Sequence, residues 1–209
     1  MDGFTGFKTA TSEELPDAVA VMDPFHVVRL CGEALDQCRR RVQQIIHGHR
    51  GRSGDPLYGA RRTLHTGDDL LTDKQKTRLE ALFANDAHVQ VEATWHIYQQ
   101  MINAYRNTDR NTDRTAGLRT MSTLIDALGS AVPVELTELI TLGRTLKKRA
   151  ADVLAYFTRP GTSNGPTEAI NGRLEHLRGS VLGFRNLTNY IARSLLETGG
   201  FRPRLHPGL

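Results

Sequence analysis

The chain has 209 residues, 39% hydrophobic and 24% charged, with a net charge of +4 and a pI near 9.3, the composition of an ordinary globular protein with a sizeable core. It contains no run of about eighteen apolar residues to span a bilayer, and Met1-Asp2-Gly3 opens no signal peptide, so a cytoplasmic protein without a membrane segment is expected. Cys31 and Cys38 are its two cysteines; on a helix they stand about 10 Å apart, beyond disulfide reach and without zinc-ligand spacing, which leaves them as core thiols.

Lysine occurs only at positions 8, 74, 76, 147 and 148, so arginine supplies the rest of the 27 basic residues. Its planar fork is the better phosphate clamp, and the positive balance makes nucleic acid a candidate partner. In chain order, residues 1–26 run from Asp2 in a Gly-rich start through polar Glu13-Glu14-Leu15 and a Pro16-Asp17 break. The apolar run Ala18–Met22 then ends in Asp23-Pro24-Phe25-His26. This predicts helix, turn and a short strand over 18–22, because a strand covered on both faces is continuously apolar. Acidic residues just past a strand end are where open α/β sheets place sites, which draws Asp2 and Asp23 together; Asp23-Pro24 equally suits an N-cap with Pro at the first helical position.

From Val27 to about His49 the residues Val27, Val28, Leu30, Cys31, Ala34, Leu35, Cys38, Val42, Ile45 and Ile46 keep helical spacing and predict one broad buried stripe. Arg39-Arg40-Arg41 reads either as a solvated cluster favoured by the helix dipole or as a DNA-backbone contact. His47-Gly48-His49-Arg50-Gly51-Arg52 reads as a basic loop. Residues 53–160 are predicted almost wholly helical, with segments near 56–65, 72–84, 88–106, 114–129 and 134–158. Asn107-Thr108-Asp109-Arg110 repeats at once as Asn111-Thr112-Asp113-Arg114, a duplication too short for a structural repeat and expected in a loop. Trp95, the single Trp, reads as core, with stacking on an unpaired DNA base as the sharper alternative.

Ser163-Asn164-Gly165-Pro166 supplies turn, cap and first-turn chemistry for a helix starting near Pro166. At about 100° per residue, Ile170, Leu174 and Leu177 share one side, while Glu168, Asn171, Glu175 and Arg178 share the other. Glu168 thus sits in the first turn and points away from the packed face, where favouring the helix dipole is its simplest role. Gly183-Phe184-Arg185-Asn186 precedes a helix over 187–196 carrying Tyr190, Ile191 and Leu195. The tail Phe201–Pro207 is basic and unpatterned, a disordered segment by its composition.

The wording S-N-G-x-T-E-A-x-N from Ser163 to Asn171, followed by G-F-R-N at 183–186 and Tyr190, resembles the C-terminal part of ISL-three family insertion-sequence transposases. The resemblance implies that Glu168 is the last carboxylate of an Asp-Asp-Glu metal triad, that D-G-F-T-G-F at 2–7 makes Asp2 the second, and that Asp23 and His26 form the family's auxiliary Asp-x-x-His motif. It further implies an α+β, mostly helical chain. On the same resemblance, residues 1–50 and 160–198 would form part of a ribonuclease H-like core, 51–159 a helical insertion, and 199–209 the disordered tail.

Mg²⁺ or Mn²⁺ would be the cofactor, transposon-end DNA the partner, and Arg173, His176, Arg178, Arg185 and Trp95 the DNA-facing residues. With Asp2 at the start, no strand is left for a first Asp, so a truncated chain is expected that is inactive alone and inclined to self-associate. A non-catalytic helical DNA-binding or protein-interaction module, with Glu168 only favouring its helix end, is the alternative.

Overall fold

The computed structural model describes residues 9, 13–109, 114–159, 161–162, 165–180 and 183–198, and divides into two units, Met1–Thr162 and Ser163–Leu209. Among the described residues all regular structure is helical. Asp2 with the whole 2–7 segment, Ser163 and Asn164, and the basic tail lie outside them.

The first unit is organised around α1, Pro24–His47. Asp23 caps it, its Oδ1 accepting from the Phe25 N–H at 2.8 Å, with Pro24 at the first position, where no N–H is needed. Gly48 ends it in the left-handed region at φ 71, donating to Gln44 O. Five short to medium elements follow: α2 (Pro56–Leu64), α3 (Asp73–Phe83), started by a reciprocal Thr72/Gln75 capping box, α4 (Val89–Asp109), α5 (Arg114–Ser130) and α6 (Thr137–Lys148). The unit's last helix is α7 (Ala150–Thr158). α1 packs on α4 and α6, α4 on α5, and α5 on both α6 and α7. The apolar seam between them holds Val27, Cys31, Leu35, Cys38, Met101, Met121, Leu146 and Val153, all buried; each large side chain removed from water contributes about 1.5–3 kcal/mol. Burial raises the Cys31 thiol to about 12 and also raises Cys38, so both are inert core thiols.

Four expectations are corrected. Residues 18–22 form no strand: the run is irregular, Val19 is exposed, and its Met22 N–H bonds to Asp152 O at 2.9 Å while the Met22 side chain is buried. An apolar run becomes a strand only where a neighbouring strand accepts its ladder, and a carbonyl in the first turn of α7 is the partner here. The α1 stripe stops at Val42, leaving Ile45 70% exposed, while Arg39 and Gln43 are buried instead. The segment 134–158 is two helices broken at Arg149 (φ −111, ψ 16). The Arg149 side chain turns inward to Asp152, Nε to Oδ2 at 2.5 Å, in a fully buried pair. Finally, Asn107, Thr108 and Asp109 of the duplication extend α4 rather than forming a loop.

The second unit contains α8 (Gly165–Ser180) and α9 (Leu187–Thr198), which pack on each other. Asn186 caps α9, its Oδ1 accepting from Thr188 N at 2.8 Å. Between them Gly183 adopts φ 96 and donates to Arg178 O, and Phe184 leans on Tyr190 with ring centroids 5.1 Å apart. The expected α8 stripe is only partly covered: Leu174 and Leu177 are half-buried and Ile170 is exposed.

Candidate functional site

Glu168 lies in the first turn of α8 and is exposed. A carboxylate there is favoured by the unpaired N–H groups of the helix start and faces solvent rather than a core. Arg173 and His176 follow on the same helix, both exposed. Arg178 is exposed too, but its Nη2 rests 3.0 Å from Glu175; so open a pair contributes little and is easily exchanged for another anion. Arg185, in the turn before α9, is exposed. The second unit therefore presents two acids, Glu168 and Glu175, and several bases on solvent-facing positions of α8 and its following turn.

In the first unit, Asp23 is the N-cap of α1, so its capping reading holds whatever else it does. His26 follows on the first turn, half-buried, with its Nε2 enclosed and without a hydrogen-bond partner among the described residues. An unpaired buried ring nitrogen costs about 1–3 kcal/mol. The Asp23 charge is felt by Tyr105 on α4, whose hydroxyl is raised first by burial and then by Tyr156 and Asp23. Tyr105 stacks on Phe157 at 5.1 Å and meets Tyr156 edge-on. Asp23 thus lies within electrostatic reach of the Tyr105 hydroxyl, a link that the sequence spacing does not announce.

Trp95 is half-buried on α4, tilted against Phe83 (5.4 Å) and edge-on to His96 (5.1 Å). Its Nε1–H is enclosed without a partner among the described residues. It lines a groove of about 530 Å³ with Leu79, Phe83, Lys76, Glu80 and Glu92. Trp95 is therefore part of the core rim, with one flank open to a cavity. The Arg39–Arg41 cluster is split: Arg39 is buried on Asp36, Arg41 holds Glu138, and Arg40, also paired with Asp36, is the exposed member.

Among the described residues no three His, Cys, Asp or Glu side chains gather to hold a metal ion. Glu168 offers one ligand and Asp23 is engaged as a cap, so the described residues do not by themselves make a fit for a divalent ion. Asp2, paired with Glu168 by the resemblance, lies outside them.

A family model described as Transposase, of the ISL-three type, matches residues 1–194, and the chain belongs to that family. It is similar to the transposases for insertion sequence element IS1557 of two Mycobacterium tuberculosis strains, CDC 1551 / Oshkosh and H37Rv. With each it is 26% identical over 223 residues, a match covering 94% of this chain and 46% of the relative. The chain thus spans about half the length of these curated relatives. No solved structure matches it significantly. No described helix is long and apolar enough to cross a membrane.

Proposed function

We propose that this chain serves DNA transposition, as the portion of an Asp-Asp-Glu transposase that carries the last triad carboxylate. Membership of the transposase family is the observation that carries this reading, and the exposed first-turn position of Glu168 is compatible with it. Asp2 and Glu168 are the residues proposed to hold a divalent ion, which in such chemistry stabilises charge on the phosphate undergoing transfer. Asp23 and His26 stand as the auxiliary pair, part of a ribonuclease H-like core to which the rest of such a transposase contributes the sheet. Arg173, His176, Arg178 and Arg185 would meet the DNA backbone, where contacts set position rather than sequence. Trp95 is kept as a base-stacking residue through its open flank.

The test is metal binding by the chain itself. Mn²⁺ titrated into the purified protein and followed by paramagnetic resonance is expected to bind weakly, with binding lost in Asp2→Ala and in Glu168→Ala. Binding that is absent, or indifferent to both changes, favours the non-catalytic DNA-binding module instead.

A further inference from the structure

Several arginines of the first unit are engaged within it. Arg29, Arg39, Arg40, Arg41, Arg106 and Arg149 all hold a carboxylate. The loop between α1 and α2 differs: Arg50 and Arg52 are exposed and have no carboxylate within ion-pair distance among the described residues.

This loop is built, not loose. Gly48 closes α1 and its carbonyl accepts from Gln44 Nε2 at 3.0 Å; Gly51 N donates to His49 Nδ1 and Arg52 N to Asp55 Oδ2. Gly51 has φ +128, and a Cβ there would lie 2.1 Å from Gln43 Nε2 and 2.6 Å from the Tyr58 ring. Only glycine permits that conformation and that approach. Tyr58, thus pressed against the loop, carries on its ring the guanidinium of Arg61, 4.2 Å from the centroid, which also donates to Tyr58 O. Arg61 therefore lies on the Tyr58 ring that the Gly51 backbone approaches, Arg50 and Arg52 flank Gly51 in the chain, and the His47 and His49 rings of the same loop stack on each other at 5.7 Å. The loop's own carboxylate, Asp55, is engaged with the Arg52 N–H and His49.

We propose that this loop and the start of α2 form a docking surface for the phosphate backbone of double-stranded DNA, with Arg50, Arg52 and the Tyr58-stacked Arg61 as its phosphate contacts. Ring stacking holds the Arg61 guanidinium and the hydrogen-bonded loop fixes the backbone that carries Arg50 and Arg52, which lowers the ordering cost of binding, and each phosphate neutralised releases a counterion. The proposal rests on the DNA reading above and adds to it the face that DNA meets.

The experiment is fluorescence anisotropy of a labelled 30-base-pair duplex with the whole chain, over a salt series. The Arg50→Ala/Arg52→Ala variant should bind about tenfold or more weakly at about 0.1 M salt, and its plot of log Kd against log salt should be shallower by about two. Arg144→Ala/Lys148→Ala removes the same charge from exposed positions elsewhere and should change binding less than threefold. Equal loss in both variants, or none in the first, overturns the surface while leaving the DNA reading intact. No binding by the unaltered chain overturns the DNA reading and the surface with it. A melting temperature unchanged in both variants keeps unfolding out of the comparison.

Discussion

Arg41 joins three elements through one guanidinium. Its Nε and Nη2 reach the two oxygens of Glu138 on α6 at 2.7 and 2.9 Å, its Nη1 reaches Gln90 Oε1, and Nη2 also reaches Glu135 O. Burial works against ionisation of Glu138, but the hydrogen bond and charge of Arg41 outweigh it and hold the carboxyl below its ordinary value of 4.5. A carboxyl lowered on folding adds stability that is present above its unfolded pKa and is lost as pH falls through the folded one. Glu138→Gln should therefore cost about 1–2 kcal/mol near neutral pH. The gap in urea midpoints between variant and parent should close as pH drops below 4.5, the ordinary value. A gap that stays constant down to strong acid would show that shape, not charge, joins α1 to α6. The three arginines at 39–41 were legible as a basic run, yet their partners lie as far away as position 138, beyond the reach of local pattern.

At the scale of elements, α5 and α6 approach so closely that Gly143 is required: a Cβ there would lie 2.1 Å from the Leu128 carbonyl oxygen and 2.7 Å from its carbon. Backbone cannot rotate away as a side chain can, so Gly143→Ala should destabilise the chain by about 2–3 kcal/mol despite alanine's better helix propensity. Gly129→Ala meets only the Lys147 side chain at 3.4 Å, and should be neutral or slightly stabilising by thermal melts. If the two changes had equal effects, the tight α5–α6 contact would be refuted.

The boundaries of these helices were largely readable. Caps and periodicity gave segments near 56–65, 72–84 and 114–129, and the helices run Pro56–Leu64, Asp73–Phe83 and Arg114–Ser130. What was not readable depends on distant contacts. The break at Arg149 has no Pro or Gly to mark it and follows from a buried ion pair. The run 18–22 has strand composition but meets the end of a helix. Glu168 was legible only through the motif around it, since a first-turn acid alone has an ordinary explanation.

For the whole molecule, on the proposed transposition reading, the decisive quantity is the number of carboxylates that can face one phosphate. Two divalent ions about 4 Å apart carry about four positive charges, and a bridging carboxylate is what holds them at that separation. The family resemblance assigns two triad acids to this chain, Asp2 and Glu168, and the chain corresponds to 46% of the length of its curated relatives. Two carboxylates support at most a weak single-ion site. Because alignment and charge stabilisation supply most of the catalysis in phosphoryl transfer, loss of the ion pair lowers the rate by several orders of magnitude. The 209-residue chain incubated with Mg²⁺ or Mn²⁺ and insertion-sequence end DNA is therefore expected to leave the strands uncut, on a denaturing gel, at protein concentrations that saturate binding. Cleavage that vanishes in both Asp2→Ala and Glu168→Ala would reveal a working site within this chain, completed by an acid the resemblance does not name, and would overturn the count.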